Sequence, residues 1–523
     1  MRKIRTDQLD VEALAGLTAI QRESIYCGLD NCVTHEVLAA MLPQLDNTSA
    51  STYAFSRALQ GPILEMTIRG LRVDLDRRDR ALRTIREDIA KLSEGLDQII
   101  RDGIGSDASW RSPQQLMKLF YSTLNLTPVR HRTPKGMRPT VDREALEKLQ
   151  AYFLAEPICI YLLALRDLDK KRQILETGID RDGRMRTNFN IAGTTTGRLS
   201  SAISDFGTGG NLQNVDRELR SIFVADPGHK LANLDLEQAD ARNVGAICWN
   251  TFVESCGEAF AGSYLDACEG GDLHTTVCRM AWRDLPWDEN PSNIRGVADR
   301  TAYRSLSYRD LAKKLGHGTN YFGTPPTMAR HTKVDRKTIE DFQARYFAAF
   351  PAIGSTSRSD HLAPNWHNSV RNHLKSDGYI TTLLGRRRYF FGRWNDDTTL
   401  REAIAYEPQS LTADEIDLGL LALFRADRVQ LLVQVHDSIL FQYPEHQEAE
   451  IVPWALSALR VPIALAQGRD FVVPVEAKVG WNWGDATDTN PDGLIKWRGS
   501  DSRKRSESPL EPKPPSLRQR LVA

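Results

Sequence analysis

Two apolar runs that favour β-strands flank a short polar segment near the C-terminal end of the chain, in LLVQVHDSILFQYP (431–444). Strands of this type usually lie in a sheet, and a carboxylate between them is costly to bury without a partner. Asp437 therefore has two interpretations. It lies in a solvated hairpin turn, because Asp and Ser favour turns, or it binds a cation together with a second carboxylate from elsewhere in the chain.

The composition is that of a soluble globular protein, with 41% hydrophobic and 26% charged residues among 523. A chain of this length can form several subdomains with a large shared core. No apolar run reaches membrane-spanning length and the first residues lack a signal-peptide core, so we expect no membrane association and a cytoplasmic location. The seven cysteines are scattered without a CxxC pair, which predicts neither a zinc site nor a disulfide framework.

The charged residues are balanced overall but clustered locally. A formal net charge of zero argues against a wholly basic coat protein, yet it does not exclude nucleic-acid binding. The segment GRRRYFFGR (385–393) concentrates basic and aromatic residues. It is either a solvated charged loop or a phosphate-contacting strip with aromatic support.

Hydrophobic periodicity and capping residues predict the secondary structure along the chain. From about residue 180 strands alternate with Gly-rich loops, and the last structured stretch is FVVPVEAKVGWNWGD (471–485). The predicted helices are two short ones within 1–50, one at 77–105, one that begins with Ser112 as N-cap and Pro113, several in 300–350, and one at 401–427.

A second carboxylate suited to partner Asp437 is Asp235, in KLANLDLEQADARNVGAI (230–247). It ends an apolar strand and precedes a helix-like run. Mg²⁺ binds few protein carboxylates and completes its shell with water and substrate phosphates. Two such ions, roughly 3.5–4 Å apart, stabilise the attacking and leaving oxygens of an in-line displacement. The alternative is that Asp235 is a helix N-cap.

A basic stripe is predicted on the helix YRDLAKKLGHGTNYFGT (308–324). Arg309, Lys313 and His317 are spaced i, i+4 and i+8 and so share one face, with Tyr321 one turn further. Cations followed by an aromatic ring match a triphosphate followed by a nucleobase. The alternative is a solvated amphipathic helix.

Together these three segments indicate metal-assisted nucleotidyl transfer, and here the chain resembles the family A DNA polymerases, of the bacterial polymerase I and phage replicative type. LDLEQADAR, RDLAKKLGHGTNY and VQVHDS resemble the family's motifs A, B and C in that order. Further similarity lies in SPQQL, TTTGRLSS, NLQN, GDLHT, GYITTLLGRRR and VPVEAKVGWNWGD, so the resemblance covers about residues 53–486.

The resemblance implies an α+β, right-hand polymerase fold with an antiparallel palm sheet, helical fingers and a helical thumb. The implied parts are an exonuclease-like remnant (1–52), thumb and entry to the palm (53–180), palm with motif A (181–240), fingers with motif B (241–400), palm with motif C (401–489) and a disordered basic, Pro-rich tail (490–523).

The resemblance also implies roles for individual residues in template-directed addition of dNTPs to a primer 3′-OH. Asp235 and Asp437 hold two Mg²⁺ ions with the Leu236 carbonyl as an additional ligand, and Lys313 protonates the pyrophosphate leaving group. The implied dNTP-binding residues are Arg309, Lys313, His317, Tyr321, His274, Gln238 and Asp240. The implied primer–template contacts are Arg198, Gln213, Asn214, Arg401, Gln409 and His436.

Four positions depart from the family pattern. Asp240 replaces the usual Glu that blocks a ribose 2′-OH, and His317 replaces a Phe or Tyr. Phe322 replaces the Gly after Tyr321, and Ser438 replaces the Glu beside the motif C aspartate. None removes a metal ligand or a phosphate-binding cation, so these changes bear on sugar discrimination and base stacking.

The N-terminal segment ESIYCGLDNCVTHEVLAAML (23–42) resembles only the end of the family's 3′–5′ exonuclease domain, through Tyr26 and Asp30. A two-metal hydrolytic site requires carboxylates from other segments, so we expect this chain not to proofread. The segment is a vestige, or half of a split enzyme with a separate 3′–5′ exonuclease polypeptide, or the YxxxD pattern is chance.

Two other functions compete with a DNA polymerase. A single-subunit phage-type RNA polymerase shares the right-hand architecture and often has His-Asp-Ser at motif C, but Asp240 obstructs a ribose 2′-OH. A non-catalytic primer–template binding protein is disfavoured by the retained Asp235, Asp437, Arg309 and Lys313. A phage-encoded enzyme is expected in the host cytoplasm.

Overall fold

The computed structural model describes residues 16–133, 136–204, 207–287, 291–303, 306–357 and 360–499, without the side chains of 291–293. The first residues of the predicted exonuclease remnant and most of the predicted tail lie outside these ranges. No described helix is long and apolar enough to cross a membrane.

The helices dominate the described part of the chain. In order they are α1 (Ala19–Met41), α2 (Asn47–Ala58), α3 (Gln60–Arg69), α4 (Leu75–Ile104), α5 (Pro113–Lys118), α6 (Arg143–Leu149), α7 (Glu156–Leu175), α8 (Ala239–Cys256), α9 (Glu258–Ala261), α10 (Ser263–Glu269), α11 (Leu273–Ala281), α12 (Pro291–Ala298), α13 (Tyr308–Asn320), α14 (Pro325–Thr332), α15 (Arg336–Ala349), α16 (Trp366–Ser376), α17 (Asp397–Ala426) and α18 (Glu448–Ala458).

The strands are short except for those of the central sheet. In order they are β1 (Leu71–Val73), β2 (Arg130–Thr133), β3 (Gly136–Pro139), β4 (Arg184–Met185), β5 (Asn188–Asn190), β6 (Ser200–Ala202), β7 (Phe223–Val224), β8 (His229–Leu236), β9 (Thr301–Tyr303), β10 (Leu306–Ser307), β11 (Tyr379–Thr381), β12 (Arg387–Tyr389), β13 (Gln430–Val435), β14 (Ser438–Pro444), β15 (Pro462–Ala464), β16 (Asp470–Val472), β17 (Val475–Gly480) and β18 (Ile495–Lys496).

The central sheet is antiparallel and has the strand order β13-β14-β8-β17-β18. It joins the two segments predicted to form the palm, because β8 lies between β14 and β17. Side chains of β8 alternate between the faces of the sheet. Leu234 and Leu236 are buried on one face, whereas Asn233 and Asp235 lie on the accessible face.

The edge and the back of this sheet are covered by helices. On strand β13 the Leu431 N–H donates to Glu65 of α3, at 3.1 Å, which shields an edge strand from further pairing. The long helix α17 is buried along most of its length and packs against α8 and β14. Its Asp414 accepts two hydrogen bonds from Arg386, at 2.8 and 2.6 Å from Nε and Nη2.

Helix α4 confirms the helix predicted at 77–105. Its buried side chains recur at helical spacing and pack against α7: Ile85, Ile89, Leu92, Leu96 and Ile100. The predicted N-cap is also observed, since the Ser112 hydroxyl accepts a hydrogen bond from the Gln115 N–H and Pro113 occupies the first turn of α5.

The structure differs from two predictions about the chain ends. Two short helices were predicted within 1–50, of which residues 1–15 lie outside the described ranges; in the rest, α1 runs for 23 residues from a capping box formed by Thr18 and Gln21, and α2 starts at Asn47. The tail does not begin at 490, because β18 pairs with β17 and the Trp497 N–H donates to Ala477 O at 2.8 Å. Ile495 supplies the apolar side chain that this added edge strand needs.

Candidate active site

Asp235 and Asp437 come together where strands β8 and β14 pair. In the sheet register Asp235 lies opposite Ser438, and the Leu236 N–H donates to the backbone oxygen of Asp437 at 3.0 Å. His436 and Asp437 form the turn of the β13–β14 hairpin, with His436 at a positive φ of 57°. The hairpin turn is therefore observed and Asp437 lies near a second carboxylate, while its binding of a cation stays a prediction.

The surroundings of this pair disfavour two negative charges. The pKa of Asp235 is raised to about 7, first because the surrounding protein desolvates it and next because Asp437 and Glu476 repel its charge. The side chain is nevertheless solvent-exposed, because it opens into a cavity. The pKa of Asp437 is also raised, mainly by desolvation and further by Asp240. A bound cation would relieve the repulsion.

The cavity beside Asp235 has a volume of about 280 Å³. Its walls carry both signs of charge, and Arg220 stacks 4.4 Å from the centre of the Trp483 ring. The charged lining residues are Arg217, Arg220, Lys478, Asp235, Glu476 and Asp485. A mixed lining of this kind can accept a cation next to a phosphate.

Glu476 is a site residue that sequence reasoning missed. In the register of the central sheet Asp235 has Ser438 on one side and Glu476 on the other. Side chains opposite one another on paired strands lie about 4.5–5.5 Å apart at Cβ. The alternation of VEAKV in β17 would have placed Glu476 on the same face as Lys478, but its partner strand could not be deduced.

The residues present fit a divalent cation of the hard, oxygen-binding kind. Among the described residues no group of three or more His, Cys, Asp or Glu side chains could hold a metal ion. Binding would therefore depend on Asp235, Asp437 and the Leu236 carbonyl, with water and substrate phosphate completing the shell. This is the ligand set that Mg²⁺ accepts.

The raised pKa of Asp235 predicts a pH-dependent metal requirement. Below pH about 7 the carboxyl is protonated in the metal-free protein, and a proton must leave before a cation binds. The Mg²⁺ concentration that gives half-maximal activity should rise about fivefold between pH 7 and pH 6, because the ionised fraction of Asp235 falls from about one half to about one eleventh. Titration of Mn²⁺ binding by electron paramagnetic resonance over this range measures the effect without turnover. An affinity that is independent of pH would contradict it.

The predicted basic stripe lies on helix α13, which begins at a capping box of Ser307 and Asp310. Arg309, Lys313 and His317 share a face, and Tyr321 is the C-cap residue. Lys313 is exposed and has no hydrogen-bond or ion-pair partner within the described ranges. Its ammonium is therefore available to an anionic ligand.

Arg309 is held by a carboxylate that sequence reasoning did not assign. Asp272 accepts hydrogen bonds from Nε and Nη2 of Arg309, at 2.8 and 3.0 Å, and from Arg295 at 3.0 Å. Burial alone raises the pKa of Asp272, but hydrogen bonds from Arg309 and Thr275 bring it to about 2. Arg309 therefore lies in an ion pair here, and it must exchange Asp272 for a phosphate if it binds a nucleotide.

His274 is the second residue of α11, two positions after Asp272, and lies close to the same cations. Its pKa is lowered to about 4, first by burial and next by the positive charge of Arg309. The imidazole is thus neutral at physiological pH and acts as a hydrogen-bond partner, not as a cation.

Asp240 is the centre of a polar network that joins α8, α13 and α17. Its carboxylate accepts hydrogen bonds from Arg198 at 3.1 and 3.3 Å, from the Tyr321 hydroxyl at 3.1 Å and from the Thr412 hydroxyl at 2.8 Å. His317 packs edge-on against the Tyr321 ring, with centroids 4.6 Å apart. Gln409 also interacts with the Tyr321 hydroxyl.

The space beneath helix α13 is small in this arrangement. A cavity lined by Asp240, His274, His317 and Tyr321 has a volume of about 30 Å³, close to that of one water molecule. Tyr321 must therefore move before a nucleobase can enter next to it.

Three of the predicted primer–template residues differ in their exposure to solvent. Asn214 and His436 are exposed, whereas Gln213 is buried and donates to the backbone oxygen of Gln434 at 3.2 Å. Gln213 thus supports the hairpin that carries Asp437, and its contact with a DNA strand stays a prediction.

Two further predicted residues lie at the ends of helices. Gln238 is the N-cap residue of α8 at a positive φ of 56°, and its Oε1 is buried without a partner among the described residues. Arg401 donates to Asp397 O at 3.0 Å near the start of α17, about 12 Å from Gln409 at 1.5 Å per residue. Arg401 therefore lies about two turns of α17 away from Gln409, and its contact with primer–template stays a prediction.

Comparisons with known proteins agree with this architecture. The model of the family described as DNA polymerase family A matches residues 79–485. The thermostable DNA polymerase I of Thermus filiformis is 27% identical over 449 residues, covering 82% of this chain and 48% of that protein. DNA polymerase I of Deinococcus radiodurans is 27% identical over 479 residues, covering 87% of this chain and 44% of that protein. The chain thus spans about half the length of these relatives.

A solved structure shares the fold. The polymerase domain of Pol1 from M. smegmatis, in complex with DNA primer–template and dNTP, superimposes with a TM-score of 0.63 at 24% identity, covering 82% of this chain and 69% of that one. The expectation of an α+β polymerase fold with an antiparallel central sheet is confirmed. Since both relatives above are bacterial, the expectation of a phage-type protein stays a prediction.

Proposed function

The chain belongs to DNA polymerase family A, and we propose that it is a template-directed DNA polymerase that adds dNTPs to a primer 3′-OH. The observation that supports this most directly is that Asp437, in the β13–β14 turn, lies near Asp235 at the end of β8. The Tyr321 hydroxyl at the end of the basic helix α13 donates to Asp240, which follows β8 in the chain. Primer–template DNA and dNTPs are the proposed partners, and the phage origin remains part of the proposal.

The proposed reaction is attack of the primer 3′-OH on the α-phosphate, with release of pyrophosphate. Asp235, Asp437 and the Leu236 carbonyl would hold two Mg²⁺ ions, which stabilise charge on the attacking and leaving oxygens when bound. Lys313, exposed on α13, binds the triphosphate and can protonate the leaving pyrophosphate. Neutral His274 donates a hydrogen bond to the phosphates.

Asp240 and Tyr321 would form the wall of the sugar and base pocket. The Asp240 carboxylate is fixed by three neighbours, so it cannot rotate away from the position where a ribose 2′-OH would lie. Glu237 is a further candidate for this wall. Displacement of Tyr321 by the incoming base would open the pocket while Arg198 and Thr412 keep Asp240 in place.

The proposed division into parts follows the sheet and helices. Residues 181–240 and 401–489 form the palm around β8, β13, β14 and β17, residues 241–400 form the fingers with α13, and residues 53–180 form the thumb with α4 and α7. Residues 60–73 lie at the palm, because α3 contacts β13 and β1 pairs with β7.

Primer extension with dNTPs and Mg²⁺ tests the proposed function. Extension with dNTPs and not with NTPs is the expected result. Extension with NTPs would indicate an RNA polymerase, and tight primer–template binding without extension would indicate a non-catalytic binding protein. Mismatched primers in the same assay test the prediction that this chain does not proofread, and a separate exonuclease polypeptide could then be added.

We expect Asp240→Ala to raise incorporation of NTPs relative to dNTPs by at least about tenfold, because it removes the wall against the 2′-OH. Tenfold corresponds to about 1.4 kcal/mol of lost discrimination. The measurement is the ratio of kcat/KM values for matched NTP and dNTP. Tyr321→Phe keeps Asp240 but removes one hydrogen bond, so it should change the ratio less. An unchanged ratio in Asp240→Ala would show that Asp240 is not the gate.

A further inference from the structure

The loop after strand β12 exposes an unusual set of aromatic side chains. Tyr389 is 52% exposed, Phe391 98% and Trp394 41%, and we call these three residues the aromatic patch. Phe390 between them packs inward, with its ring 6.0 Å from that of Tyr406. Tyr389 and Phe391 therefore face solvent on the same side of an extended segment. Exposed apolar groups that cluster in this way mark interaction sites.

Both cations and acidic residues accompany the patch. Lys375 lies 5.5 Å above the Trp394 ring, Arg393 is exposed within the loop, and Arg388 lies 4.4 Å from the centre of the Phe390 ring. Four acidic residues lie on the same segments of the chain: Asp377, Asp396, Asp397 and Glu402. Asp396 accepts hydrogen bonds from the first N–H groups of α17, and Glu402 pairs with Arg388, so Lys375 and Arg393 are the cations of the patch.

Helix α17 connects the patch to the candidate active site. It precedes α17, whose residues Gln409 and Thr412 reach the network around Tyr321 and Asp240. Gln409 is twelve positions beyond Asp397, which is about 18 Å along the helix. That distance corresponds to about five nucleotides at 3.4 Å each. The β11–β12 hairpin is held on the same helix by a hydrogen bond from Arg386 to Asp414.

We propose that the aromatic patch binds the unpaired 5′ overhang of the template strand. Exposed rings next to cations are the means by which proteins bind single strands without sequence preference, since bases stack on the rings and phosphates contact the cations. A duplex stacks its bases on one another and offers no free base faces. A primer–template has one such single strand, so the proposal rests on the proposed function.

Binding measurements on two DNA substrates test the proposal. One is a primer–template with a twelve-nucleotide 5′ overhang, and the other is the same duplex with blunt ends. Fluorescence anisotropy at fixed salt gives Kd for the wild type, Phe391→Ala, Trp394→Ala and the double variant. The double variant should bind the overhang substrate about tenfold more weakly and the blunt duplex equally well. Phe153→Ala is the matched control, because Phe153 is 86% exposed elsewhere, and it should change neither Kd.

Equal weakening on both substrates, or no weakening on either, would overturn the proposal. Extension opposite a one-nucleotide overhang reports on the proposed function alone, because that overhang is too short to reach the patch. It should be unchanged in the double variant. If the wild type fails to extend any primer, the proposed function fails, while the comparison of overhang and blunt DNA still reports on the patch.

Discussion

Asp235→Ala and Asp437→Ala should each abolish primer extension while primer–template binding is retained. The two carboxylates lie close together, and their pKa values are raised mainly because the surrounding protein desolvates them, so a bound cation would favour their charged forms. Removal of either would eliminate charge stabilisation of the transition state, not docking surface. Losses for groups of this kind are on the order of 10²-fold or more in rate. Single-turnover extension and Kd for primer–template measure the two effects separately.

Controls distinguish this outcome from unfolding. Asp470→Ala changes an exposed aspartate on β16 and should leave the extension rate within about twofold of the wild type. Asp235→Asn should raise the metal-free unfolding temperature at pH 8. The raised pKa of Asp235 means that folding is favoured when the carboxyl is protonated and loses that stability as pH rises to about 7. Activity of either alanine variant within a few-fold of the wild type would refute the metal-site assignment.

Lys313→Ala should lower the rate of single-nucleotide incorporation by about 10²-fold or more and weaken dNTP binding. A positioned general acid contributes typically 10²–10⁴-fold, and the exposed ammonium has no competing partner within the described ranges. Primer–template affinity should change little, because Lys313 lies on α13 beside the nucleotide pocket. Pre-steady-state incorporation at varied dNTP concentration gives the rate and the apparent dNTP affinity.

Lys314→Ala is the matched control for this prediction. Lys314 is the next residue on α13, is equally exposed and points about 100° away from Lys313, so its loss should alter the rate by about twofold or less. If Lys313→Ala weakened DNA binding and left dNTP affinity intact, helix α13 would face the duplex. The assignment of its basic stripe would then be wrong.

Local patterns in the sequence were sufficient for much of the site. Helical spacing predicted the shared face of Arg309, Lys313 and His317, and the end of an apolar run predicted Asp235 at the end of a strand. Both follow from periodicities of the backbone, 3.6 residues for a helix and two for a strand. The hairpin at Asp437 followed from turn-forming residues between two β-prone runs.

At the chain ends the structure contains elements that local sequence patterns did not predict. Pro- and Ser-rich composition predicted a tail from residue 490, but Ile495 and Lys496 add a strand to the central sheet. Composition describes a segment as a whole. It does not show that two residues of the segment can form a strand against β17 of the central sheet.

The sequence by itself determined the order of the motifs, the stripe on α13 and the position of each aspartate within its element, because these depend on neighbours a few residues away. Only the tertiary structure decided that Asp272 holds Arg309, that Glu476 lies beside Asp235, and that Gln213 is buried beneath the hairpin. Each of these contacts depends on the pairing or packing of segments 37 to 241 residues apart, given by subtraction of the residue numbers. Strand register and helix packing set such distances, and no local periodicity encodes them.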